Sequence, residues 1–203
     1  MRIHNVEQGS QEWHNLRASR FTATDAQAIL ANGAGLKTAA YKKTAYLFTA
    51  DVPEGFISPA MEYGKEKEPF ARACYAEYIG LPVKEVGFCE MDGEMGGYAG
   101  CSPDGLVGDE GLCEIKCKET HNHLRTVVTG KIDTEHELQM QFQMLVTGRK
   151  WCDYVCYNDK FPNPLFVKRV YRDPDVQAKL ADGLAKGKEL IDGIYKTYEE
   201  MYL

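Results

Sequence analysis

The stretch CSPDGLVGDEGLCEIKC, residues 101–117, carries the side chains best suited to chemistry. Gly105–Val107 and Leu112–Cys117 alternate as strands, and Gly108-Asp109-Glu110-Gly111 between them has the residues of a hairpin turn. Asp104 follows Pro103 at the entrance of the first strand, and Glu114 and Lys116 lie two apart in the second. Strand side chains alternate, so Glu114 and Lys116 share a face. A turn centred near Glu110 sets residue 104 opposite 116 and residue 106 opposite 114, and opposed residues also share a face. Asp104, Glu114 and Lys116 therefore converge. Ile115 points the other way, into the core, and leaves its carbonyl near the carboxylates.

Two carboxylates and a carbonyl form a hard-oxygen site suited to Mg²⁺ or Mn²⁺. A lysine beside a divalent ion loses its proton more easily and can act as general base toward water. Ion, base and water together equip a site for phosphodiester hydrolysis. The same triplet also suits a solvated hairpin face with weak cross-strand ion pairs. Glu68 and Gln139 bear on the choice. Helical spacing gives the stripe Met61, Gly64, Glu68, Ala71 and Tyr75, which is apolar or small except for Glu68. A carboxylate on an inward face needs a metal or a cation, and Lys116 is one candidate cation. Gln139 shares a helix face with Phe142 and Val146. There its amide either orients water and holds the lysine or makes a core hydrogen bond.

These residues need elements to hold them. Ser10 is placed to cap a short helix carrying Trp13 and Arg17, with Glu12 in its first turn. Thr24-x-x-Gln27 has the capping-box pattern for a second helix ending near Gly33, and a third apolar-periodic segment runs from Thr38 to Ala50. Ser58-Pro59 opens a long helix that stops at Gly80, and Pro82–Glu90 alternates as one strand. Thr134-x-x-Glu137 opens another helix ending at Gly148. His121 and His123 alternate in a polar stretch that suits the surface. Trp151–Tyr157 and Leu165–Tyr171 are two more strands, and helical spacing runs from Asp173 to the end. The order predicts an α/β or α+β chain with a small central sheet.

The chain has 203 residues, 44% apolar and 27% charged, which predicts one globular domain over 1–203 and excludes a disordered tail, a collagen-like rod or a coiled coil. No apolar run approaches a membrane span. The start MRIHNVEQGSQEW lacks the apolar core of a signal peptide, which predicts a cytoplasmic protein. Seven cysteines without a disulfide or zinc spacing suit buried free thiols in a reducing compartment. The net charge of −6 argues against nonspecific coating of nucleic acid and confines basic groups to local clusters, at Lys37–Lys43, Lys116–Arg125, Arg149–Lys150 and Lys160–Arg172.

VEQGSQEWHNLR with FTAT, then YGKEKEPFAR, then CSPDGLV with EIKC, then LQMQFQMLVTG follow one another in this chain. With these motifs in this order it resembles the phage lambda-type exonucleases, the YqaJ-type viral recombinase family of the PD-(D/E)xK nucleases. The resemblance implies a restriction-endonuclease-like core, with a small mixed sheet flanked by helices. It implies Asp104, Glu114 and the Ile115 carbonyl as ligands of Mg²⁺, with Mn²⁺ a substitute, and Glu68 serving the same site. It implies Lys116 as the catalytic lysine, Gln139 as its support, and Arg17 with Thr24 around a terminal 5′ phosphate. Thr24 stands where the family usually has Ser. The family often has an Arg after the EIKC-like strand; here Asn122 is at the nearest position, Arg125 is further on, and His121 or His123 could substitute. The implied activity is 5′–3′ digestion of one strand of linear duplex DNA from its end, processively. The implied assembly is a homotrimeric ring, which keeps an acidic protein on DNA by enclosure. The 3′ overhang passes to a phage single-strand annealing protein, in the cytoplasm of a bacterial host and away from any membrane. A site- or structure-specific endonuclease and a non-catalytic DNA-end-binding protein are the alternatives. The Gly9-x-x-x-Trp13-x-x-x-Arg17 and Gln-x-Gln segments oppose the first, and the intact Asp104, Glu114 and Lys116 oppose the second.

Overall fold

The computed structural model describes residues 1–49, Val52 and 58–202. The expected helix end at Ala50 lies outside them. β1 (Arg2–His4) leads to α1 (Gln11–Ala18). Ser10 caps α1 as expected, its hydroxyl accepting the Trp13 amide at 3.2 Å. The next capping box belongs to Thr22 and Asp25, not Thr24 and Gln27: the Thr22 amide donates to the Asp25 carboxylate at 2.9 Å around a 3₁₀ turn, Ala23–Asp25. α2 (Ala26–Ala31) then ends on Asn32 in the left-handed region, φ 48°, one residue before the glycine expected there. α3 (Ala34–Phe48) starts four residues earlier than the apolar spacing suggested. α4 (Pro59–Ile79) has Ser58 as its cap and Gly80 as its stop, as read from sequence.

Pro82–Glu90 is not one strand. It divides into β2 (Val83–Lys84) and β3 (Phe88–Glu90), which belong to different sheets. Gly87 lies at the break, pressed so closely on the Val6 backbone that a Cβ would stand 2.0 Å from the Val6 carbonyl oxygen. β4 (Gly100–Cys101), β5 (Gly105–Val107) and β6 (Gly111–Cys117) follow. The supposed polar stretch after β6 is a helix, α5 (Thr120–Thr129). α6 (Thr134–Thr147) has Asp133, not Thr134, at its N-cap position, without a side-chain capping bond. β7 (Trp151–Tyr157), β8 (Leu165–Tyr171) and α7 (Pro174–Tyr202) complete the chain.

The main sheet has the order β2-β5-β6-β7-β8; β6 and β7 run parallel and the other neighbours antiparallel. A smaller sheet has the order β1-β3-β4. This is the expected mixed sheet flanked by helices. One face, through Leu112, Cys152, Tyr154 and Cys156, joins a large core with Met140 and Phe142 of α6 and Leu180 and Leu184 of α7. The other, through Cys113, Ile115 and Val155, packs under Ala71 and Tyr75 of α4. Tyr75 also donates to Asp153 at 2.8 Å, and Arg169 grips the same buried carboxylate through Nε and Nη2, each at 2.8 Å. That pair fixes α4 to β7 and β8. The seven cysteines are free, and among the described residues no helix is long and apolar enough to cross a membrane.

Candidate active site

The β5–β6 hairpin brings the acidic residues together in a register two residues from the expected one. Gly105 pairs with Cys113, Leu106 with Leu112 and Val107 with Gly111, so Asp104 continues the ladder opposite Glu114, not Lys116. The turn centres on Asp109 because Gly108, at φ 51°, begins the reversal immediately after Val107. A shift of two preserves the face. Asp104 Oδ2 accepts the Ile115 amide at 2.6 Å. Glu114 is buried, at 6% exposure. Its Oε1 accepts from Lys116 Nζ at 2.6 Å and its Oε2 from Gln143 Nε2 at 2.7 Å.

Electrostatics separate the two carboxyls. Burial, then the neighbouring Glu114 and Glu68 carboxylates, push Asp104 well above the usual carboxylate range. Burial acts on Glu114 too, but Lys116, then Gln143 and His136, hold it below its ordinary value. Burial would lower Lys116; Glu114 and Asp104 outweigh it and raise the ammonium above its ordinary value.

Glu68 approaches from α4. The buried stripe on that helix holds at Ala71 and Tyr75, but Met61 is exposed. The cation that Glu68 meets is Arg72, one turn along, and not Lys116. Arg72 also donates to the Asp104 carbonyl at 3.0 Å and to Glu85 at 2.9 Å. Burial raises Glu68, Arg72 lowers it, and Glu85 and Glu114 raise it again. The signal for Arg72 was present as the i,i+4 pair in Glu68-Pro69-Phe70-Ala71-Arg72.

On α6 the amide that touches the carboxylates is Gln143. Gln139, one turn earlier on the same face, is half-buried and makes no side-chain hydrogen bond to the described residues. The sequence reading missed Gln143, although its spacing of four from Gln139 puts both toward Glu114 and Lys116.

A second cluster lies where α1 meets the hairpin entrance. Trp13 Nε1 donates to Ser102 Oγ at 2.8 Å, two residues before Asp104. The Arg17 guanidinium stacks on the Trp13 ring, 4.2 Å from its centroid. Burial lowers its pKa, against the raising influence of Asp25 and Cys101. Asp25 itself pairs with Lys43 at 3.2 Å. Thr24 is exposed, with its hydroxyl 2.9 Å from that of Thr22.

The segment after β6 sorts the remaining candidates. His123 is fully buried, its Nδ1 3.4 Å from Cys156 Sγ and its ring beside Phe161, so it cannot reach a phosphate at the surface. His121 and Arg125 are exposed and Asn122 is half-buried.

Residues 12–150 match the YqaJ-like viral recombinase domain. The chain belongs to that family. Within the matched span lie Arg17, Thr24, Glu68, Asp104, Glu114, Lys116, Gln139 and Gln143. In structure the YqaJ-like chain is similar to the alkaline exonuclease LHK-Exo of Laribacter hongkongensis, with 34% identity and a TM-score of 0.77, over 95% of this chain and 100% of that one. The same figures hold for LHK-Exo in complex with dAMP. A phage-related exonuclease from Haemophilus somnus 129PT shares the fold at 13% identity and TM-score 0.63, over 91% of this chain and 99% of that one. No curated protein matches the chain.

Proposed function

We propose that this YqaJ-like protein is a Mg²⁺-dependent exonuclease that degrades one strand of linear duplex DNA from its 5′ end and leaves a 3′ overhang. The observation that carries the reading is the meeting of Asp104, Glu114 and Lys116 on one face of the β5–β6 hairpin. The family and the likeness to an alkaline exonuclease, also solved in complex with dAMP, support it.

The donor set fits a divalent ion. Asp104, Glu114 and Glu68 crowd three carboxylates against two cations, Lys116 and Arg72, and Asp104 bears the repulsion. Among the described residues no three His, Cys, Asp or Glu side chains are grouped so as to hold a metal ion, so the donor set rests on two carboxylates and a carbonyl. Mg²⁺ commonly binds through one or two carboxylates plus water and substrate phosphate. Asp104, Glu114 and the Ile115 carbonyl would hold the ion, with Glu68 serving the same centre and Mn²⁺ an acceptable substitute. Bound there, it supplies Lewis-acid polarisation of the scissile phosphate. Lys116, 2.6 Å from Glu114, would take the proton of the attacking water. Gln143 keeps Glu114 in place, and Gln139, on the same face, orients the water. Arg17 grips the terminal 5′ phosphate with its planar fork, held flat by Trp13, and Thr24 lines the same pocket. A homotrimeric ring around the duplex retains it, and the overhang goes to a single-strand annealing protein of the phage type in the host cytoplasm.

Linear and covalently closed circular duplexes, compared with Mg²⁺, test this reading. Digestion of the linear form alone is expected; cutting of the circle would make the protein an endonuclease, and cutting of neither would make it a binder. Two residue-level results are also expected. Gln143→Ala should slow single-turnover cleavage by about 10–100-fold, as losses of groups that orient metal ligands do; an unchanged rate would leave Gln143 as packing alone. Arg17→Ala should slow digestion of 5′-phosphorylated ends by about 10²-fold, because a misplaced end misaligns the reacting atoms. It should also narrow the gap to 5′-hydroxyl ends, and Lys at that position should recover only part of the loss. Equal losses on both ends, restored at low salt, would instead describe a residue of general DNA affinity.

A further inference from the structure

Glu68 and Asp104 come from different elements, and one side chain joins them. The Arg72 guanidinium donates through Nη2 to Glu68, through Nε to the Asp104 carbonyl oxygen at 3.0 Å, and through Nη1 to Glu85 at 2.9 Å. Its side chain is 13% exposed. The hairpin entrance and α4 otherwise repel one another here, since each contributes a carboxylate to the same crowded space. Pro69, next to Glu68, also lacks the amide that would close the helix onto Lys65, so α4 alone holds Glu68 less firmly.

We propose that Arg72 is a positioning residue of the acidic centre: its planar fork fixes the Glu68 carboxylate against the backbone of Asp104 and so presets the site for the divalent ion. The inference rests on the metal-dependent reading above. It concerns the separation of the carboxylates more than the charge Arg72 adds. A lysine at this position keeps the charge but offers one ammonium in place of a rigid fork, and cannot hold the three partners in one plane. Glu85, exposed, anchors the third side of the guanidinium.

The test is equilibrium binding of Mn²⁺ to the full chain without DNA, by calorimetry, with melting measured separately in chelator. Arg72→Lys should weaken Mn²⁺ by about 10–100-fold, the usual loss when a ligand's supporting partner is removed, while folding in chelator stays near that of the parent. Glu85→Gln, which leaves Arg72 itself in place, should weaken it less. Arg72→Gln should match or exceed the lysine variant, and if it fails to fold, the other two carry the comparison. Mn²⁺ binding by Arg72→Lys equal to or tighter than the parent's overturns the proposal, as does an affinity loss that only tracks loss of fold. Asp104→Asn separates the two levels. If the parent shows no Mn²⁺ binding that this variant removes, the metal-dependent reading fails and takes Arg72 with it. If the parent does bind and Arg72→Lys is indifferent, only the role of Arg72 falls.

Discussion

Asp104→Asn and Glu114→Gln should each abolish cleavage while leaving the fold intact. Both replacements keep the shape of the side chain, and Asn at 104 can still accept the Ile115 amide that now bonds to Oδ2 at 2.6 Å. What each removes is one negative oxygen donor from a site with few. The lost stabilisation of the transition state is several kcal/mol, on the order of 10³-fold in rate. Asp104→Asn should have a second effect. Asp104 is half-buried beside the Glu114 and Glu68 carboxylates, so removing its charge relieves repulsion, and melting in chelator should move upward. Sites that bind charge are commonly built at such a cost to stability. Near-normal hydrolysis by Asp104→Asn at moderate Mg²⁺ would remove both carboxylates from the catalytic assignment.

Lys116→Ala should cost roughly 10²–10⁴-fold in the chemical step, the range for loss of a general acid or base. Binding of Mn²⁺ and DNA should survive. Lys116 is the cation that offsets Glu114, at 2.6 Å, so its loss leaves the carboxylates more negative and should not weaken a divalent ion. Single-turnover cleavage and Mn²⁺ titration on the same preparation separate the cases. If Mn²⁺ affinity collapses and excess metal restores the full rate, the lysine serves the structure of the site and not the proton transfer.

The convergence of Asp104, Glu114 and Lys116 was legible because strand alternation is a strict period of two. The register was not, because Gly108 begins the turn and its left-handed φ cannot be read from a Gly-Asp-Glu-Gly string that offers two glycines. Glu68 was legible as a carboxylate that needed a partner. Its spacing pointed to Lys116 across the sheet, whereas the partner, Arg72, lies one turn along α4. Gln143 was hidden by its likeness to Gln139: both amides lie on one face of α6, but Gln143 is buried and bonds to Glu114 while Gln139 is half-buried. α5 escaped notice because its Thr, His and Asn residues are weak helix formers, yet its buried side holds His123 and Thr126 and its packing onto β7 fixes it. The small sheet escaped for a different reason. β1, β3 and β4 have two or three residues each, too few to show a period, and are defined by pairing across the chain, Ile3 with Cys89 and Cys89 with Cys101.

End-labelled linear duplex, carrying either a 5′ phosphate or a 5′ hydroxyl and incubated with and without Mg²⁺, tests the central claim most directly. The account predicts stepwise release of mononucleotides from the 5′ end, dependence on Mg²⁺, faster digestion of phosphorylated ends, and survival of the complementary strand as a 3′ overhang. Release from the 3′ end, or undiminished digestion in chelator, would contradict it.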